Sequence, residues 1–212
     1  MIFDKDKVRE DLDRAFAANS ELELLEILKN NSFLFYDLSV RKIGVQPNFC
    51  EVEIGSKLRC DFCWLNDSSD GPEWTLVEVE KPTLKLFKQD WKPTAEFNSA
   101  IEQVKSWERY FQQHPHEKSR IFTVVSRFRF ILIAGRMEDW QPPEAAAWRL
   151  QHNQQRNFEI RSMDTFRRSI DHYYEDASYR SFEQHPISRK FKELSNYCRD
   201  HPYLCAWRNR LC

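Results

Sequence analysis

Two strand-like runs separated by one polar loop constrain this chain more than any other feature. "KLRCDFCWL" (57–65) and "WTLVEVEK" (74–81) flank "NDSSDGPE" (66–73), a loop rich in turn-forming residues. Alternating apolar and polar residues mark half-buried strands, and such a loop lets two of them pair antiparallel. Folded about the loop's midpoint, the hairpin sets Asp61 opposite Glu78, Cys63 opposite Leu76 and Arg59 opposite Glu80. Side chains alternate between the faces of a strand. Phe62, Trp64, Val77 and Val79 then share a core-facing side, and Asp61, Glu78 and Glu80 gather on the other. Like charges placed directly opposite destabilise a sheet by roughly 0.2–1 kcal/mol per pair. Three carboxylates together therefore call for a cation, and hard oxygen donors on a rigid sheet suit Mg²⁺, with Mn²⁺ as a substitute. The alternation taken alone equally describes a strand with one face in water.

The rest of the chain surrounds this hairpin with mixed α/β elements. Helices are expected over 4–18 and 20–30. Ser20 is the N-cap of the second, and Leu22, Leu24, Leu25, Ile27 and Leu28 form its apolar face. "FCEVEI" (49–54), joined through Gly55-Ser56, makes the hairpin a three-stranded antiparallel meander. A long helix follows over about 94–113, with Phe97, Ala100, Ile101, Val104, Trp107 and Phe111 at helical spacing. "RIFTVV" (120–125), "RFRFILIA" (127–134) and "FEIRSMD" (158–164) read as further strands, and "TFRRSIDHYY" (165–174) as a helix. There is no linker, repeat or low-complexity tract. The expected organisation is one domain over 1–177 with a helical extension, 178–212, packed on it.

At 212 residues the chain can bury a sizeable core. The longest apolar run, "FILIAG" (130–135), is far too short to span a bilayer, and the charged start lacks a signal-like apolar region, so a cytoplasmic protein without membrane association is expected. Six cysteines fit a reducing compartment. The net charge of −1 conceals an asymmetry: 16 Lys/Arg against 22 Asp/Glu over 1–118, and 16 against 11 over 119–212. Arg127, Arg129 and Arg136 in the basic half are candidates to track a nucleic-acid backbone, or form a solvated basic surface. Cys60-x-x-Cys63 with Cys198-x-x-His201 has zinc-ligand spacing. Strand alternation, however, sets Cys60 and Cys63 on opposite faces, which favours core thiols. His114 and His116 read as part of a turn after the long helix.

"LRCDFCWL", "WTLVEVEKPTLKLF", "AEFNSAIEQVKSWERYF", "RFILIAGR" and "IRSMDTF" together resemble the nuclease domain of Shedu-type anti-phage proteins, over about residues 20–170. The most specific parts are the Glu-x-Glu-Lys-Pro strand end and the helix bearing Ala100, Gln103 and Trp107. The resemblance implies a restriction-endonuclease-like core of the PD-(D/E)xK phosphodiesterase superfamily: a mixed sheet with an antiparallel meander, flanked by helices. It implies Asp61 and Glu78 as Mg²⁺ ligands, Gln103 bordering the active site, DNA as partner and a homo-oligomeric assembly. Glu80 departs from the pattern, since it stands where most of the superfamily has its lysine, and Lys81 follows at once. Either Glu80 accepts a proton or ligates metal, or Lys81 turns inward at a bulge before Pro82. Glu23 or Glu26 on the second helix is a candidate outer ligand or a plain surface residue. The implied activity is metal-dependent DNA endonuclease chemistry. RNA cleavage, and a nuclease-like fold that has lost catalysis and serves as a binding module, stay open.

Overall fold

The computed structural model describes residues 3–155, 157–173 and 176–211. The chain opens with two capped helices. Asp4 accepts from the Lys7 amide to start α1 (Lys5–Ala17), and Ser20 accepts from that of Glu23 to start α2 (Glu21–Asn30). Such caps satisfy amides that have no intrahelical acceptor. Leu24 and Leu28 are buried, but Leu22 is 80% exposed and does not belong to the apolar face expected of it. A 3₁₀ segment, Ser32–Leu38, then buries Phe33, Leu34 and Phe35.

Next comes the meander of β1 (Phe49–Ile54), β2 (Leu58–Ser68) and β3 (Gly71–Val79), all antiparallel. Gly55, at φ +66°, turns β1 into β2 against the Tyr110 hydroxyl, where no side chain fits. The β2–β3 register is the expected one, with Cys63 opposite Leu76 and Phe62 opposite Val77. The hairpin is longer than the sequence suggests. Its strands run to Ser68 and Gly71, leaving Ser69 and Asp70 as the turn. Asn66 accounts for this extension, donating to Glu73 at 3.0 Å and to Thr75 at 2.9 Å, so the polar loop becomes a buried, hydrogen-bonded strand end. At its other end β3 stops at Val79, one residue before Glu80.

Thr94 caps α3 (Ala95–Gln113), which buries all six of its expected core residues. "RIFTVV" does not form a strand. Pro115 occupies the first turn of a helix, α4 (Pro115–Phe122), Glu117 and Arg120 pair along it at 2.8 Å, and Thr123, at φ +63°, ends it. β4 (Arg127–Ile133) is followed by α5 (Pro143–Asn153), which the apolar pattern does not announce, and then by β5 (Phe158–Arg161) and α6 (Asp164–Asp171). Tyr174, at the end of the helix expected over 165–174, lies outside the described residues. The C-terminal stretch holds α7 (Arg180–Glu183), β6 (Arg189–Lys190), α8 (Leu194–Asp200) and α9 (Pro202–Leu211); Cys212 is not among the described residues.

These elements build a six-stranded mixed sheet in the order β5-β4-β3-β2-β1-β6, flanked by helices on both faces. β3, β4 and β5 run parallel, and β6 adds a parallel edge to β1. On one face Phe49, Leu76, Phe130 and Ile160 pack with Trp107 and Phe111 of α3, and Leu194, Cys198 and Leu204 of the C-terminal stretch join them. On the other, Phe62, Val77 and Ile131 pack with Leu12, Phe35, Phe166 and Phe182. The architecture is consistent with a restriction-endonuclease-like core. Among the described residues no helix is long and apolar enough to cross a membrane.

One irregularity matters for the site. Cys50 pairs with Phe62 and Val52 with Cys60, but the intervening Glu51 and Asp61 are not paired, and Glu51 has φ +55°. Alternation breaks there. Cys60 and Cys63 therefore lie in the same apolar core, contrary to the opposite faces that strict alternation assigns them.

Candidate active site

A cleft of about 690 Å³ lies at the end of the sheet, between β2, the end of β3, α3 and the start of α2. Asp61, Glu78 and Glu80 all line it, as does Gln103. Asp61 is 9% exposed and its Oδ2 accepts the Val79 amide at 2.8 Å. Glu78 is 8% exposed; Gln103 Nε2 donates to its Oε1, while its Oε2 is buried and has no partner among the described residues. The Glu80 amide donates to the Ile133 carbonyl at 3.0 Å, which fixes the backbone just past the strand.

Burial controls the electrostatics. It pushes the Asp61 carboxyl up to about 6, with Glu21 adding to the rise and the Val79 amide and Arg59 opposing it. Glu78 is raised well above the carboxylate range, first by burial and then by Asp61 and Glu80. Glu80 is pushed up to about 7 by burial, Glu21 and Asp61, against the pull of Lys81. Carboxyls held this way either keep protons near neutral pH or need a cation beside them. Lys57 and Arg59 line the same cleft and supply part of that charge.

Lys81 is placed differently. Its Nζ lies 3.2 Å from Glu96 Oε2, its side chain is 38% exposed, and it does not line the cleft. The acidic residue that α2 contributes is Glu21, not Glu23 or Glu26. Glu26 instead pairs with Asn30 and Lys29 along the helix surface. Ser99, Glu102 and Ser106 of α3 also face the cleft. Helical spacing from Gln103 is the signal that finds Ser99 and Ser106, whereas Glu21 has no local signature.

The three arginines proposed for a nucleic-acid backbone are engaged internally. Arg127 pairs with Glu73; Arg129 with Glu159 at 3.0 Å and the Leu38 carbonyl at 2.6 Å; Arg136 with Asp164 at 3.2 Å. For the two within β4 parity is the reason, since Phe128 and Phe130 face α3 and so turn Arg127 and Arg129 away from the cleft side. His114 caps the junction of α3 and α4 and stacks on Tyr110. Cys60, Cys63 and Cys198 are buried thiols whose pKa values burial raises, and His201 contacts Gln46 at 3.1 Å.

Whether Mg²⁺ fits can be judged from the donors. Among the described residues no three His, Cys, Asp or Glu side chains already form a ligand set. Magnesium, however, binds through one or two carboxylates and keeps water and substrate phosphate for the rest of its shell. Asp61 with the orphaned Glu78 oxygen meets that requirement in hardness and charge.

The six-stranded mixed sheet flanked by helices is a mixed α/β architecture consistent with the restriction-endonuclease-like class. Residues 18–166 match the family model described as "Shedu protein SduA, C-terminal", and the chain belongs to that family. Membership supports a role in prokaryotic anti-phage defence. No curated protein matches the chain.

Proposed function

We propose that this protein is a Mg²⁺-dependent DNA endonuclease of Shedu-type anti-phage defence, acting in the cytoplasm as a homo-oligomer. The observation that carries the reading is Glu78: one oxygen is held by Gln103, the other is buried and has no partner among the described residues, and the side chain shares its cleft with Asp61. Asp61 and Glu78 would hold the ion, which when bound offsets phosphate charge and acidifies water. Gln103 fixes the rotamer of Glu78. Glu80, which lines the same cleft, is the group placed to accept the proton of an attacking water. Arg59 and Lys57 at the rim meet the phosphate oxygens of the strand. The chain would act as one domain carrying 178–212 as a packed extension.

The test is cleavage of linear and circular DNA by the purified protein with and without Mg²⁺ or Mn²⁺, wild type against Glu78→Ala. Metal-dependent cleavage lost in the folded variant supports the reading. Wild-type-like cleavage by that variant overturns this site. Absence of cleavage with either metal favours the silent binding module, the reading to which Glu80 in the lysine position and Lys81 outside the cleft lend support.

A further inference from the structure

The free edge of β5 carries a second cleft, of about 450 Å³, between α5 and α6. Its charge is the reverse of the first: Arg149, Arg161 and Arg168 line it, and among the described residues no carboxylate does. The nearest acids are already shared. Glu159 pairs with Arg161 at 2.8 Å and with Arg129 at 3.0 Å, and Asp37 pairs with Arg168 at 2.9 Å. Among the described residues Arg149 has no ion pair. Its guanidinium lies over the Trp140 ring, 5.0 Å from the centroid, which holds it at the cleft. Burial and the facing Arg161 and Arg168 act on it in the same unfavourable direction.

The walls are preformed. Asn153 accepts the Ile160 amide at 2.7 Å and donates to the Ile160 carbonyl at 3.1 Å, so its amide stands in for a neighbouring strand at Ile160. The buried Ser162 lies just beyond Arg161. At the lip, Leu150 and Met137 are 65% and 40% exposed, an apolar surface beside a cationic one. Arg161 pairs with Ile133, and Ile133 with Val79, so the cleft opens at the same carboxyl end of the parallel strands as the carboxylate site. Open α/β sheets bind ligands at that end.

We propose that this cleft binds a phosphate-bearing small molecule of nucleotide size. Arg149, Arg161 and Arg168 take the phosphate, and Leu150 and Met137 cover the apolar part. Three guanidiniums facing one another without enough carboxylate are costly unless an anion sits between them, and Arg suits phosphate through bidentate hydrogen bonds. The volume falls in the range of about 300–1,000 Å³ typical of small-molecule sites. The site is separate from the carboxylate cleft and does not depend on the nuclease reading.

The test is calorimetric titration of the full chain at low salt in EDTA, which removes cation-mediated binding elsewhere. The probes are adenosine monophosphate, inorganic phosphate, adenosine and a short DNA duplex. The two phosphate compounds should bind saturably and adenosine should not. Arg149→Ala should weaken the nucleotide by about tenfold or more, the loss of one charge-assisted contact. Arg149 also packs on Trp140, so Leu150→Glu serves as the second variant. It adds a carboxylate at an exposed position and should weaken the nucleotide comparably. Unsaturable phosphate binding, nucleotide affinity unmoved by both variants, or binding of the duplex alone would each overturn the proposal, the last by making the arginines a strand contact.

Discussion

The Val79 amide, two residues past the last β2–β3 ladder pair, donates to Oδ2 of Asp61 at 2.8 Å. The carboxylate takes the position a backbone carbonyl would hold if the ladder continued. One side chain thus serves both the sheet and the cleft, and the two roles can be separated by substitution.

Asp61→Asn keeps an oxygen acceptor for the amide and should change stability little. Asp61→Ala leaves a buried amide without a partner and should cost about 1–3 kcal/mol. Both should abolish cleavage. Chemical denaturation of the two variants in EDTA measures the difference, and equal stabilities would show that the hydrogen bond is not what Asp61 contributes to the fold.

Divalent metal should stabilise the wild type. A cation that binds only the folded chain adds roughly 2.7 kcal/mol at about 100 times its dissociation constant. For a chain of this length that corresponds to about 5–10 °C in Tm. Glu78→Gln should lose the shift and melt above wild type in EDTA, since burial and two neighbouring carboxylates oppose the ionised form that Glu78 adopts freely in the unfolded chain, and Gln has no such form. A wild type that ignores Mg²⁺, Mn²⁺ and Ca²⁺ would make these carboxylates structural.

Glu80→Gln should impair cleavage more than Lys81→Ala. Glu80 lines the cleft, whereas Lys81 is tied to Glu96 outside it. Single-turnover rates on one DNA substrate compare them, and the reverse order would mean that Lys81 swings inward with substrate bound.

Acid should loosen the C-terminal stretch. Burial lowers the pKa of both His185 and His201 below the ordinary histidine value. The unfolded chain then binds more protons, so stability rises with pH through this window and is lost as pH falls below about 6.5. Between about pH 7 and about pH 5 the fall in Tm should be smaller in a His185→Gln, His201→Gln double variant than in wild type. Identical slopes would show that neither imidazole is held neutral by the fold.

Local pattern determined much of this protein. The caps at Asp4, Ser20 and Thr94, the apolar stripe of α3 and the β2–β3 register depend on neighbours a few residues apart or on a single hairpin, so spacing alone brings Asp61, Glu78 and Glu80 together. Gln103 follows from helical spacing plus the resemblance of its helix to the Shedu nuclease domain. Tertiary structure decided the rest. The first half of "RIFTVV" ends a helix because Pro115 and the Glu117–Arg120 pair start a turn that a β-propensity reading of six residues does not register. All of the polar loop 66–73 but Ser69 and Asp70 becomes strand because Asn66 finds Glu73 and Thr75 once the hairpin closes. Cys60 and Cys63 share a core because the unpaired Glu51 and Asp61 break the alternation. Glu21 and the arginine cleft are assembled from segments far apart in the chain. Spacing encodes which residues share a face of one element, but only packing decides which elements meet and which charges are left without partners.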